Sequence, residues 1–203
     1  MLPNFSRCIV HVGIVLLVIL TSSVAVAAGS TITLSEPQPL SAFQLTDQNG
    51  KEFGVDQLKG RWTMVFVGFT TCPDVCPTTL ANLEAVRADL SLRMRPNSIP
   101  NIVFLAVDPD RDRSVLKEYL AYFHPNYIGL TGASTEIDKL IDNLDAYYRL
   151  DRKSPNDTQY NVIHSATVSV INPQAEVVAK INPPFHPHHT GEYLMKVIRG
   201  QKP

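Results

Sequence analysis

Excess charge of either sign is missing from this sequence. Eighteen Lys and Arg stand against nineteen Asp and Glu, a formal net charge of −1. A nucleic-acid-binding surface would show as clustered Lys and Arg, and that signature is absent. Internal repeats and low-complexity blocks are absent too, which excludes a solenoid or a disordered array. Cysteine is scarce, with three in 203 residues. That count excludes a multi-disulfide scaffold, and a chain of this length needs none to hold a core. The length suits one well-buried domain plus a targeting segment and is short for two domains.

The single long apolar run stands at the N-terminus. MLPNFSR carries one cation, Arg7, and is followed by CIVHVGIVLLVIL and then TSSVAVAAGS. A basic start, an apolar core and small residues are the order of a secretory signal, with Ala25-Val-Ala27 as an A-x-A cleavage site. The run from Cys8 to Ala28 is also just long enough to cross a bilayer, interrupted by His11 and by Thr21 to Ser23. Residues 1–27 are therefore a signal peptide or an N-terminal membrane anchor. Either way the remainder is exported, and a bacterial periplasm, with the domain soluble or tethered, is the simplest compartment. Residues 28–40, rich in Ser and Thr with Pro37 and Pro39, read as a linker or extended arm.

Residues 41–200 read as one α/β domain. FQLTDQNGKEF alternates around Asn49-Gly50, a hairpin signal. WTMVFVGF and NIVFLAVD are continuous apolar runs of strand length, as expected of strands buried on both faces. Apolar stripes at Leu80, Leu83, Val86 and Leu90, at Leu116, Tyr119, Leu120 and Phe123, and at Ile137, Leu140, Ile141 and Leu144 predict helices. Asp112 or Ser114 is the expected cap of the second, and Thr135 with Asp138 a capping box for the third. SATVSVIN and AEVVAKI read as two strands, and Tyr193, Leu194, Val197 and Ile198 mark a closing helix. Strands alternating with helices imply βαβ units and a central mixed sheet flanked by helices. Two cysteines after the first buried strand, at the start of the next helix, are the arrangement of a thioredoxin-like fold.

Those cysteines lie in FTTCPDVCPTT, residues 69–79. A purely structural disulfide is a poor reading, since so short a loop gains little chain-entropy stabilisation. Proline is tolerated in the first turn of a helix, so Pro77 puts Cys76 at the helix start and Cys72 in the loop before it. Near the positive end of a helix dipole both thiols are expected to ionise more readily. Thiolate serves metal binding and disulfide exchange alike, so position does not choose between them. Dedicated oxidoreductases usually use C-x-x-C, whereas C-x-x-x-C also lets two sulfurs converge on one ion. Two thiolates with an imidazole make a soft site suited to copper, Cu(I) in particular. His164, immediately before a predicted strand, is the candidate third ligand. His11 belongs to the targeting segment, and His124 reads as a helix-end residue.

FTTCPDVCP, then DPDRD at Asp108 to Asp112, then Phe123-His-Pro with Gly129-Leu-Thr-Gly132, then His164-Ser165 follow one another in this order. Together they resemble the Sco/SenC family of copper-binding cytochrome c oxidase assembly proteins, from about Phe43 to Ile171. The resemblance implies a thioredoxin-like fold with an N-terminal hairpin and an inserted segment. It implies one copper ion per domain, as Cu(I) or Cu(II), held by Cys72, Cys76 and His164. It implies delivery to the dinuclear copper centre of cytochrome c oxidase subunit II, with a copper donor chaperone upstream and a thiol reductant partner. Two departures from the family pattern bear on packing and turn geometry. Ser169 stands where an aromatic residue is usual, and Asn172-Pro-Gln-Ala175 replaces an Asp-Pro-x-Gly type of turn.

Other residues remain open. Asp108 is read either as orienting a ligand or as pairing with Arg111. Asp110 and Asp112 are read as capping the next helix. His186, His188 and His189, in PPFHPHH, form either a second metal site or an exposed loop with Thr190 as cap. Tyr147, Tyr148 and Tyr160 are read as packing beside a helix end rather than as a docking patch. The main rival function is a thiol–disulfide oxidoreductase, with Cys72 and Cys76 as the redox pair keeping the oxidase's copper-site cysteines reduced. A peroxiredoxin-type peroxidase would want Thr-x-x-Cys, a spacing that Thr70-Thr71-Cys72 lacks.

Overall fold

The two apolar runs become the centre of the sheet. In the computed structural model, which describes residues 29–154 and 157–201, β4 (Thr63–Gly68) is buried at every position, and β5 (Asn101–Ala106) at all but the first. The hairpin strands β2 (Leu45–Asp47) and β3 (Glu52–Phe53), the short β6 (Ile128–Thr131), and β9 (Val168–Ile171) with β10 (Glu176–Ile181) complete what the sequence predicts. With β1 (Thr31–Pro39) the order is β1-β10-β9-β4-β5-β6-β2-β3. β4, β5 and β6 run parallel and the other pairings are antiparallel. This is the mixed, helix-flanked sheet of a thioredoxin-like fold.

Helix α1 (Val75–Ser91) buries Leu80, Leu83, Val86 and Leu90, the predicted stripe, and packs on α5 (Pro187–Ile198). α3 (Leu116–Phe123) lies over β6, where Gly129 is needed because a Cβ would stand 2.5 Å from Leu120 Cδ1. α4 (Ser134–Asn143) covers the sheet with Ile137, Leu140 and Ile141.

The helix caps differ from those expected. α3 is preceded by a separate helical turn, α2 (Pro109–Asp112), and its N-cap is Val115. α4 starts from Ala133, and Thr135 with Asp138 forms no capping box. α5 starts from His186, which leaves Thr190 buried inside the helix rather than capping it. None of the three N-cap residues makes a side-chain cap hydrogen bond, and α5 begins with Pro187 in its first turn, where proline is tolerated. His124 does end α3, its ring Nδ1 accepting the Asn126 N–H at 3.1 Å.

Two further segments take shapes that the apolar pattern alone does not give, the second being the inserted segment that the family resemblance implies. The stretch read as a linker or extended arm, residues 28–40, contributes edge strand β1, which pairs with β10 at Thr31 to Thr33 and again at Gln38 and Pro39. Its mostly exposed side chains and two prolines hide it in the sequence, and proline is tolerated on an edge strand. Between α4 and β9 a separate ribbon is inserted, β7 (Tyr148–Leu150) against β8 (Val162–His164). The turn after β9 closes through Asn172, whose Oδ1 accepts the N–H groups of Gln174 and Glu176 at 3.0 Å. Ala175 takes the left-handed conformation that a glycine would adopt freely. Ser169 is buried in β9 opposite Val65.

The candidate signal or anchor segment, with Cys8 and His11, lies outside the described residues. Among the described residues no helix is long and apolar enough to cross a membrane.

Candidate metal centre

β4 and β5 end side by side, Gly68 opposite Ala106, and the chains leaving them carry the site. After β4 the loop holds Cys72, and α1 starts at Val75, so Cys76 and Pro77 both fall in its first turn. Cys76 is fully buried, and its Sγ lies where a Cβ on Gly68 would come within 2.9 Å. A glycine at 68 is thus what admits the sulfur, since any side chain would also strike the Phe104 ring. Cys72 is half-buried, with its Sγ accepting the Cys76 N–H at 3.4 Å.

The ribbon brings the third group. β7 pairs Tyr148 with His164, setting the imidazole at the end of β8, over the cysteines. Its Nε2 stands 3.4 Å from Cys76 Sγ. Its Nδ1 is 3.0 Å from the Ser165 carbonyl. A carbonyl only accepts, so Nδ1 carries the proton and Nε2 presents its lone pair to the sulfurs. Phe66 and Phe69 meet the imidazole edge-on, at centroid distances of 5.9 and 5.8 Å.

The donor set fits a metal ion. The three ligand atoms all lie within 4.8 Å of one another, and they form the one such group of three or more among the described residues. Metal–sulfur and metal–nitrogen bonds of about 2.3 and 2.0 Å put two tetrahedral ligands about 3.5 Å apart, close to the 3.4 Å between Cys76 Sγ and His164 Nε2.

Burial corrects the electrostatic expectation for one thiol. Desolvation pushes the Cys76 thiol well above its ordinary range, outweighing the help of the helix start. Desolvation also lowers the His164 pKa, which keeps the ring neutral and free to ligate. Cys72 and Cys76 are both free thiols.

The DPDRD motif, residues 108–112, does more than cap. Asp112 is fully buried and accepts three hydrogen bonds: Thr70 N–H at 2.7 Å, Thr70 Oγ1–H at 2.7 Å and Asp108 N–H at 3.0 Å. Burial raises its pKa in spite of these donors. The reading of Asp112 as a helix cap is therefore replaced by an anchor on the cysteine loop. Asp108, also fully buried, accepts the Tyr160 hydroxyl at 2.8 Å and pairs with Arg111 Nε and Arg152. Asp110 is exposed and pairs with Arg152 at 2.7 Å.

The tyrosines form no common patch. Tyr160 lies between Arg111 and Arg152, whose guanidinium carbons are 3.8 and 4.4 Å from its ring centroid. Tyr148 donates to Asp138, and Tyr147 is exposed. His186, His188 and His189 gather at the start of α5, with His188–His189 ring centroids 6.0 Å apart and His188 beside Asp89 and Glu192. The sequence reading missed Thr70 and Arg152. A threonine two residues before a cysteine and a lone arginine carry no spacing signal.

Known proteins share this fold and much of this sequence. The SCO1/SenC family model matches residues 33–199. A "SCO2-like protein" of Rickettsia felis is 35% identical over 78% of this chain and 74% of its own. A "Putative copper-binding protein" of Stutzerimonas stutzeri is 32% identical over 77% of this chain and 75% of its own. The solved structure of Arabidopsis thaliana ScoI with copper bound superposes with a TM-score of 0.71 at 31% identity, covering 79% of this chain and 98% of that one. With the family model spanning nearly the whole domain, the chain belongs to the SCO1/SenC family.

Proposed function

We propose that this chain is an exported copper-binding assembly factor for cytochrome c oxidase. Cys72, Cys76 and His164 take up one copper ion, and the protein passes it to the dinuclear copper centre of subunit II. The observation that carries this reading is the convergence of two thiols and a correctly tautomerised imidazole within 4.8 Å. The copper-bound Arabidopsis ScoI structure and the copper-binding name of the Stutzerimonas relative support the choice of metal. Two thiolates and a neutral imidazole leave Cu(I) in a site of one negative charge and Cu(II) in a neutral one, so both states suit it.

Transfer follows from the uneven burial of the ligands. Cys72 is the accessible sulfur on a loop, whereas Cys76 is sealed beneath it. An incoming thiolate of the client displaces Cys72 first, and Cys76 and His164 let go later. The setting is the periplasm, with a copper donor upstream and the N-terminal segment as signal or tether.

The second reading is a thiol–disulfide oxidoreductase. It is favoured by the free state of both thiols and by the Cys76 N–H held to Cys72 Sγ. Cys72 and Cys76 would pass two electrons and two protons to a partner disulfide, becoming a disulfide themselves, and a thiol reductant would restore them.

Titrating the reduced protein with copper, followed by thiolate-to-copper absorption, tests the choice. Wild type is expected to bind one tight equivalent. His164→Ala is expected to lose more affinity than the roughly tenfold to hundredfold seen for outer-sphere partners, while the Cys72–Cys76 disulfide still forms. Equal affinity in the variant removes His164 as a ligand. No tight copper in reduced wild type transfers the function to disulfide exchange.

A further inference from the structure

Ligands that come from two separate segments need a common reference, or their spacing drifts. Here the cysteine loop follows β4, while the histidine sits on a ribbon inserted some ninety residues later in the chain, Cys76 and His164 being 88 positions apart. Among the described residues, β7 and β8 form their own two-stranded sheet and have no ladder with the main one.

One short turn touches both segments. From Asp112, two hydrogen bonds reach Thr70, two positions before Cys72. From Asp108, one reaches the Tyr160 hydroxyl, four positions before His164, and the Arg111 that Asp108 holds donates through Nη1 to the Tyr160 carbonyl at 3.2 Å. Arg152, on the chain leaving β7, closes the ring by donating to the Tyr160 hydroxyl at 2.6 Å and pairing with Asp108 at 3.4 Å. Asp108 and Asp112 are themselves joined by the Asp108 N–H. Both carboxylates are fully buried, and buried carboxylates are costly unless fully bonded, so any displacement of either segment leaves a strongly penalised group.

Resting on the metal-site reading above, we propose that the 108–112 turn is a two-armed clamp that sets the thiol–imidazole spacing. Asp112 is the positioning residue for Cys72 through Thr70, and Asp108 is the positioning residue for His164 through Tyr160 and Arg111. None of the five hydrogen-bonds a ligand atom. The arms act on different ligands, which makes them separable. Asp108→Asn or Tyr160→Phe frees the ribbon, and Asp112→Asn or Thr70→Val frees the loop.

The test pairs a metal-free readout with a copper readout on the purified protein. In hydrogen exchange without metal, Asp108→Asn and Tyr160→Phe speed exchange in residues 148–150 and 162–164, and Asp112→Asn speeds it at residues 70–72. In copper titrations each variant lowers affinity by about tenfold to a hundredfold, as outer partners of a metal site do. On a His164→Ala background, Asp108→Asn has no further effect, because the ligand it positions is gone, whereas Asp112→Asn still weakens binding. Rapid exchange across the whole domain would mean that Asp108→Asn unfolds the protein, and Tyr160→Phe then decides the ribbon arm. Unchanged exchange in the ribbon, or an equal loss for Asp108→Asn with and without His164, overturns the clamp. If wild type binds no copper tightly, the metal reading fails, and hydrogen exchange alone still decides whether the turn holds both segments.

Discussion

At Cys76 two effects compete for the same thiol. The helix start favours thiolate, and the removal of water by Phe66, Phe104 and His164 favours the protonated form. Burial wins, so the thiol keeps its proton across neutral pH until something takes the proton's place. If Cys76 is a copper ligand, as proposed, copper uptake must then release it. Because the Cys76 pKa is raised, the proton is bound throughout the neutral range in the metal-free state and absent in the loaded one. Apparent copper affinity is therefore expected to rise at least about tenfold per pH unit between roughly pH 6 and 8. A competition titration at several pH values measures the slope, and a flat profile would mean that Cys76 is no ligand. Burial lowers the His164 pKa, so its contribution to that slope is the smaller one. Both the histidine and the C-x-x-x-C pair were legible as residues. The protonation state of Cys76 was not, because it depends on how much water its neighbours exclude.

Elements differ in how firmly they are held, and the site straddles that difference. β4 and β5 are paired on both sides, inside the main sheet, and buried on both faces. The β7–β8 ribbon has three residues per strand, no third strand, and an exposed Arg149 and Ile163 on its length. A two-stranded ribbon is marginal by itself and opens at lower free energy than a central strand. In the wild-type protein, amides of β4 and β5 are expected to exchange at the global unfolding limit, and those of β7 and β8 well before it. Ribbon protection equal to that of β5 would refute this ordering. Under the proposed transfer, Cys76 at the start of α1, behind central strand β4, and His164 on the ribbon are held with different firmness, which would suit a site that opens to release copper. β1 and the ribbon were the elements least visible in the sequence. β1 alternates only through Thr31-Ile-Thr-Leu34 before Pro37 and Pro39 interrupt it, and the ribbon strands are three residues each, so each exists because of a partner strand that local pattern does not name.

Across the whole molecule, the two groups of candidate ligands are far apart. His188 stands beside Asp89, thirteen positions along α1 from Cys76, which is about 20 Å at the helical rise. No ligand exchange within one molecule bridges that span. Replacing His186, His188 and His189 together with Ala is expected to leave the single tight copper equivalent and its absorption unchanged. Any weak extra equivalents seen in wild type would disappear. Loss of the tight equivalent in this variant, measured in the same titration, would place a C-terminal histidine in the primary site.

The α/β layering was already written in the chain, since the period of its apolar residues is a local property that each strand and helix carries within itself. The sequence also offered the candidate ligand types, because C-x-x-x-C before a helix and a histidine before a strand are chemical facts of the chain. Tertiary structure alone decided that these residues meet within 4.8 Å. It decided that Asp112 serves the cysteine loop rather than a helix cap, and that residues 31–39 are a strand. The physical reason is the same in all three cases. Hydrogen bonding and desolvation between residues tens of positions apart depend on which segments the sheet sets side by side, and local periodicity holds no record of that.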